Sequence, residues 1–344
     1  MKASVLFEHG GPEKLTLSEV DEPTVLEGET LIRVGAAGVE PGLDIKTRQD
    51  GGGWPIDLPH ILGASMAGTV MRSVGEGALA EGTRVAVAPV ISCGVCRFCR
   101  TGRDNSCQSR RFMGINRPGG YAEYCAVPSR NLIPIADSTS FAVAAGASVS
   151  YSTAWHSVVS RARVSPADTV FVVGSSGSVG IAAAQAAALF GARVILGGRD
   201  RRKVAPLAAE VGAAGIVDTA GDIPAQLAQL APEGVDLVVD TVGPATWASS
   251  VAVLNPEGRL VCVGGSSGGE VGLTLRDVYR KNVSLFFSTS SPFEQLKLVY
   301  RLIDEGKLAP KVYAEYPLAD AAAAHAAMVE QKHVGKVVIV PEGA

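Results

Sequence analysis

The sequence predicts an α/β protein of two domains, with a doubly wound parallel sheet inserted into a β-rich domain. Three observations carry this reading. A chain of 344 residues is too long for one ordinary hydrophobic core and suits two. From Asp168 to about Gly265, buried strand-like runs alternate with Ala-rich helical stretches, the rhythm of βαβ units. Before and after that block the text changes style, to short β-rich runs between Gly, Pro and Asp punctuation, so the tail is expected to complete the first domain.

In chain order, residues 30–34, 67–71 and 83–87 read as strands of the β-rich domain. In the middle block, strand 169–173 leads to helix 181–190, strand 193–196 to helix 201–211, and strand 235–240 to helix 246–254, followed by strand 259–263. The tail carries a helix at 293–304 and a closing strand at 336–340. These readings place the β-rich domain at 1–150 and 289–344, and the parallel-sheet domain at 151–288. No internal repeat or low-complexity linker interrupts them.

Composition narrows the function classes. The chain is 47% hydrophobic and 19% charged, ordinary for a globular protein. With 31 basic and 34 acidic residues its net charge is −3, which argues against nucleic acid or an anionic membrane as a partner. The uncharged stretches 138–160 and 169–192 have the length of a membrane span. The first is rich in Ser and Thr, however, and the second is broken by Gly-Ser-Ser-Gly-Ser-Val-Gly, so both are read as buried core. The short apolar run at the N-terminus is stopped by Glu8 and does not make a signal peptide, and a cytoplasmic protein is expected.

The strand 169–173 runs into Gly174-Ser175-Ser176-Gly177-Ser178-Val179-Gly180, with an Ala-rich helix directly after it. Glycines there let the backbone turn tightly and approach a pyrophosphate, whose charge then sits on the helix N-terminus. A bare strand–helix turn is the plain alternative, but the placement favours a dinucleotide. One departure is visible, since G-x-G-x-x-G would need glycine at Ser175. The next strand selects the cofactor. An NAD enzyme wants an acid at its end to bind the ribose 2′-hydroxyl. Here that place is Gly198, followed by Arg199, Asp200, Arg201, Arg202 and Lys203. Space and guanidinium charge suit a 2′-phosphate, so NADPH is expected, with Arg199 and Lys203 as its contacts; Asp200 is the residue through which NAD would bind instead.

Four of the six cysteines, Cys93, Cys96, Cys99 and Cys107, fall within a short lobe at about 90–111. Cysteines two residues apart in a loop turn their thiolates onto one tetrahedral ion, and four thiolates close the shell against water. One structural zinc per chain is expected. Arg97, Arg100, Arg103, Arg110 and Arg111 outnumber Asp104 and offset the negative zinc–thiolate centre. Two disulfides or buried free thiols are the alternative.

At this point the chain resembles the medium-chain dehydrogenase/reductase superfamily, over almost its whole length. The resemblance rests on the four-cysteine lobe, the loop Gly174 to Gly180, the run Val235-Asp-Leu-Val-Val-Asp-Thr-Val-Gly243, Pro256-x-Gly-Arg-Leu-Val-x-Val-Gly264, and the ending Val334-Gly-Lys-Val-Val338. It implies a GroES-like catalytic domain and a Rossmann cofactor domain, with Thr153, Val242, Val263, Gly264, Gly265 and Ser288 joining the glycine loop in holding the cofactor. A homodimer or homotetramer and a small-molecule substrate are implied too.

The departures from the superfamily carry the functional expectation. Zinc alcohol dehydrogenases place a catalytic Cys after Gly-Val; here Gly38-Val39 precedes Glu40. Their Gly-His-Glu reads Gly63-Ala64-Ser65 here, and their third ligand falls near Val149. His60 is read as a loop histidine at the surface rather than a displaced ligand. Without that zinc, hydride transfer to a ketone lacks its Lewis acid, whereas a conjugated enone or quinone needs only hydrogen bonds and a proton. The chain therefore resembles the zinc-independent quinone and enoyl reductase branches, which usually lack the cysteine lobe. Glu40, Asp44 and Ser65 are expected at the vacated site, with Glu40 and Ser65, like Tyr151, as candidate catalytic residues. Tyr151 and His156 flank Thr153, with Tyr151 a candidate proton donor or, equally, a packed aromatic. The loops 48–59 and 264–271 are expected to shape the pocket. A metal-free carbonyl reductase and a non-catalytic NADPH-binding protein are the alternatives kept open.

Overall fold

The computed structural model describes residues 1–344 except 53, 55, 76, 331, 332 and 344. It divides into two compact units: Met1–Val149 with Pro292–Gly306 and Pro310–Ala344, and Ser150–Ser291 with Lys307–Ala309. Lys307–Ala309 joins the second unit because Ala309 exchanges hydrogen bonds with the Gln185 side chain, at 3.0 Å each way.

In the first unit the long strand Glu29–Gly38 is the organiser. It pairs antiparallel with Ser65–Ser73 and Tyr124–Pro128, and its last residues pair with the closing strand Lys336–Val340. The sheet continues outward through Arg84–Val87 to Leu132–Pro134 on one side, and through Lys336–Val340 to Val312–Pro317 on the other. A small sheet of Leu15–Glu19, Lys2–Leu6 and His60–Ile61 packs beside it. The core is aliphatic, with Ile32, Val34, Leu62, Met66, Val85, Val337 and Ile339 fully buried. Alternation along these strands is broken near Gly38 and Ser65, where both faces are covered.

The second unit is a six-stranded sheet in the order Gly215–Asp218, Arg193–Gly198, Thr169–Val173, Val235–Asp240, Leu254–Cys262, Ser284–Phe287, all parallel. This is a doubly wound order, reversing direction between Thr169–Val173 and Val235–Asp240. Helices Ser178–Leu189, Arg201–Glu210, Ile223–Leu230, Pro244–Ala252 and the short Leu275–Tyr279 lie in the five crossovers. Two strands not expected from the sequence complete it, Gly215–Asp218 and Ser284–Phe287, each only four residues long. The helix expected at 246–254 begins two residues earlier, because Pro244 has its φ preset for the first turn and Leu254 already belongs to the next strand.

Candidate functional site

Sheet register brings together three residues far apart in the chain. Gly38 pairs with Ser65 on one side and with Val338 on the other, so Glu40, Ser65 and Lys336 meet just past the end of the long strand. Ser65 Oγ donates to Glu40 Oε1 at 2.7 Å, and Lys336 Nζ donates to Glu40 Oε2 at 2.7 Å. Only 5% of the Glu40 side chain and 2% of the Lys336 side chain are exposed. Both carboxylate oxygens are therefore engaged internally. Ala64 stands at the second expected ligand position and the half-buried Val149 at the third. This donor set does not fit a catalytic metal, which asks for three protein ligands and an open position.

His60 departs from expectation. It is a buried strand residue, not a surface loop histidine; its Nε2 lies 3.1 Å from the Gly114 carbonyl, and burial lowers its pKa.

A second buried network props up the same corner. The segment Pro41–Ile45 winds as a single wide π-turn, a feature concentrated at functional sites, and it aims Asp44 back at its own start. Asp44 accepts from the backbone N–H groups of Glu40 at 2.9 Å and of Gly63 and Ala64 at 3.1 Å each, and from Tyr121 Oη at 3.2 Å. One carboxylate thus clamps the two segments that carry Glu40 and Ser65. Gly63 is required in this clamp, since its φ is +107° and a Cβ there would lie 2.7 Å from the Gly120 nitrogen. Burial, then the neighbouring Glu40 carboxylate, pushes Asp44 up to about 7. Beyond Tyr121 lies His325, Nε2 to Oη 3.0 Å, and Arg48 Nε donates to His325 Nδ1 at 3.2 Å. Burial and the Arg48 charge push His325 down to about 3, so the ring is neutral, receiving on Nδ1 and donating from Nε2. None of Tyr121, His325, Arg48 or Lys336 stands out in sequence as a site residue. For Lys336 there is a signal: a lysine opening the otherwise apolar run Lys336-Val-Val-Ile-Val340 has to bury its stem and find a partner.

In the second unit Tyr151 is 3% exposed, and its hydroxyl donates to Gln185 Oε1 at 2.8 Å. Burial raises it well above an ordinary phenol. Its proton is held by Gln185, the arrangement of a packed aromatic. Thr153 is buried on the same helix, and its carbonyl accepts from Ser157 Oγ.

The remaining expected cofactor residues follow the carboxyl ends of successive parallel strands, where ligands bind in such sheets. Gly174 turns the chain at φ +80°, and a Cβ there would sit 2.2 Å from Thr241 Oγ1. A Cβ at Gly180 would lie 2.3 Å from the Gly174 carbonyl, so glycine is what lets the helix lie against the loop. The missing glycine at Ser175 is explained by its hydroxyl, which donates to Val172 O and accepts from Gly197 N, bracing two strands. Helix Ser178–Leu189 has no side-chain cap, leaving its first-turn N–H groups for an anion such as a pyrophosphate. Val242, Val263, Gly264, Gly265 and Ser288 lie at or just past the ends of the next strands; Val242 N is tied to Asp240, Val263 N to the Asp240 carbonyl and Ser288 N to the Cys262 carbonyl. Gly198 ends its strand, and Asp200 caps the following helix. Both Asp200 oxygens are engaged by Arg202, through its backbone N–H and guanidinium, and Arg202 lowers the Asp200 pKa. Arg199 and Lys203 flank this pair.

The cysteine lobe gathers as expected. The four sulfurs of Cys93, Cys96, Cys99 and Cys107 lie within 4.8 Å of one another, with Cys93–Cys99 at 3.9 Å and Cys96–Cys99 at 3.5 Å. A tetrahedron of zinc–sulfur bonds of about 2.3 Å has edges of about 3.8 Å, so the group fits one zinc, and these separations are far too long for disulfides. Backbone N–H groups aimed at the sulfurs lower Cys93 and bring Cys96 down to about 6. Arg97 and Arg103 cover the Phe98 ring, and Asp104 accepts from the Phe293 N–H at the start of helix Phe293–Asp304. In the loop 48–59, residues 53 and 55 lie outside the described residues.

Comparison with known proteins agrees with this layout. Residues 26–137 match the alcohol dehydrogenase GroES-like domain, and residues 211–339 match the zinc-binding dehydrogenase family. A crystal structure of an NAD-dependent alcohol dehydrogenase superimposes with a TM-score of 0.93, at 35% identity over 99% of both chains. The chain belongs to the medium-chain dehydrogenase/reductase superfamily. A cobalt- and zinc-bound thermostable alcohol dehydrogenase from Pyrobaculum aerophilum is 34% identical over 99% of both chains, with a TM-score of 0.89. The quinone oxidoreductase of Rattus norvegicus is 29% identical over 99% of this chain and 98% of its own length. As a superfamily member the protein is an oxidoreductase with a GroES-like unit and a Rossmann-like parallel sheet. No described helix is long and apolar enough to cross a membrane.

Proposed function

We propose that the protein is an NADPH-dependent reductase of activated C=C bonds (enones, enoyl thioesters) or quinones, working without a catalytic metal. The observation that carries this reading is Glu40, whose two carboxylate oxygens are taken by Ser65 and Lys336 at a position where zinc-dependent relatives need a free ligand. When bound, NADPH supplies a hydride. An acceptor whose negative charge spreads over an enolate or phenolate asks less of the protein than a localised alkoxide, which leans on a Lewis acid. We assign Glu40 and Ser65 to holding this corner in shape and Tyr151 to packing.

The six-stranded unit is the NADPH-binding domain and the other unit the catalytic domain. Gly174, Ser176, Gly177, Ser178, Val179 and Gly180 receive the pyrophosphate at the uncapped helix end. Gly198 leaves room for a 2′-phosphate, and Arg199 and Lys203 bind it, since Asp200 is occupied as a helix cap. Thr153, Val242, Val263, Gly264, Gly265 and Ser288 line the rest of the cofactor. One zinc in the cysteine lobe holds that lobe folded. We place the protein in the cytoplasm, as a homodimer. Support for the dimer comes from the edge strand Ser284–Phe287, whose Phe287 is 61% exposed, and from the preceding helix Leu275–Tyr279, whose Leu275 and Tyr279 are 70% and 63% exposed, apolar surface suited to a second copy.

The likeness to alcohol dehydrogenases supports a second reading, reduction of ketones in the same site. NADPH oxidation measured against quinones, enones, enoyl thioesters and plain ketones separates the two. Turnover of the first three classes is expected. Faster turnover of ketones selects the second reading, and no turnover with any class leaves a binding protein. With an enone and deuterated NADPH, the label is expected on the β-carbon; label on a carbinol carbon contradicts the proposal.

A further inference from the structure

Lys336 opens the closing strand, and the strand is buried on both faces as far as Ile339. Its side chain is 2% exposed, and its stem passes Gly146, where a Cβ would lie 3.4 Å from Lys336 Cγ. The ammonium ends 2.7 Å from Glu40 Oε2. Among the described residues Glu40 pairs with Lys336 and interacts unfavourably with Asp44, a second buried carboxyl group, while Arg48 is bonded to His325 beyond Tyr121. A carboxylate in such surroundings is stable only when matched by a close cation, because desolvation of an unpaired charge costs several kcal/mol.

We infer that Lys336 is the positioning residue of this corner: its ammonium holds the Glu40 carboxylate in place, and through Glu40 it fixes the direction of the Ser65 hydroxyl. The ion pair and the Ser65 hydrogen bond together tie three segments that are far apart in the chain, the end of Glu29–Gly38, the start of Ser65–Ser73 and the start of Lys336–Val340. Glu40 and Lys336 are 296 residues apart. The proposal depends on the metal-free reading above only for its functional meaning. The pair itself has a test that does not involve substrate.

That test is a double-mutant cycle on the zinc-loaded full chain, comparing wild type, Lys336→Met, Glu40→Gln and the double variant by thermal midpoint, with NADPH binding followed in parallel. Lys336→Met strands the carboxylate and should lower the midpoint by about 10 °C, as expected for a broken buried pair. The double variant carries no unpaired charge and should regain at least half of that loss. If Lys336 only fills space, the two single losses add, and additivity overturns the proposal, as does an unchanged midpoint in Lys336→Met. If Lys336→Met does not fold, a folded double variant supports the proposal and an unfolded one overturns it. Midpoints do not depend on which substrate is reduced, so failure of the cycle and failure of the substrate screen are separate results.

Discussion

Two corners of the first unit, both expected from the family resemblance to be metal-ligand positions, meet the same electrostatic problem in different ways. In the cysteine lobe, four sulfurs converge within 4.8 Å, and backbone N–H groups favour the anionic form of Cys93 and Cys96; this is an arrangement that a divalent ion completes. At Glu40 the positive charge is already part of the chain. Lys336 supplies it, Ser65 takes the other oxygen, and Asp44 fastens the backbone on both sides. The lobe draws its ligands from 15 consecutive positions, whereas the Glu40 corner draws on strands from both ends of the chain. On the proposed reading a metal site and a metal-free site coexist in one unit, each with its charges matched.

The largest expected effect breaks the lobe. Cys96→Ser should lose the zinc and lower the thermal midpoint by well over 10 °C, since structural zinc contributes folding free energy of about 10 kcal/mol or more in small zinc domains. Elemental analysis alongside calorimetry checks this. A variant that keeps its zinc and its midpoint would erase the contrast between the corners.

Asp44→Asn probes the clamp of the other corner. An amide offers one acceptor where the carboxylate serves four donors, so a loss of about 2 kcal/mol is expected. The pH dependence is more specific. The folded carboxyl is raised to about 7 against about 4 when unfolded, so the folded state binds the extra proton between those values. The stability contributed by this proton is complete below about pH 4 and is lost as pH rises through about 7. Denaturant titrations across that window should show wild type losing stability relative to Asp44→Asn; parallel curves would refute the assignment.

Arg199→Ala sharpens the cofactor side, removing one charge-assisted phosphate contact and about tenfold of the preference for NADPH over NADH. An unchanged binding ratio, or a wild type that prefers NADH, would contradict it. Smallest is Ser65→Ala. It removes one of two partners from Glu40 while Lys336 stays, so stability should fall by about 1 kcal/mol and NADPH-driven turnover should survive. Complete loss of turnover would make Ser65 a catalytic residue.

The contrast also explains what is legible in the sequence. The glycine loop, the βαβ rhythm and the cysteine lobe are local patterns, written within tens of residues, and local folding brings each together. Glu40 and Ser65 are legible as positions, but their chemistry is not. Their partner is fixed by strand register, with Gly38 lying between Ser65 and Val338, and no local pattern encodes that pairing. His325 lies in an alanine run and Tyr121 beside two glycines, with nothing in either context to mark a buried network. Tyr151 is legible as an aromatic near the cofactor unit, yet its hydroxyl proton goes to a glutamine one helix away.

The most direct test of the contrast is the zinc stoichiometry of the purified wild-type chain, measured by native mass spectrometry after dialysis against metal-free buffer, with NADPH-driven enone turnover assayed on the same sample. The account predicts one zinc per chain and full activity. Two zinc ions per chain, with activity lost when the second is removed, would contradict it.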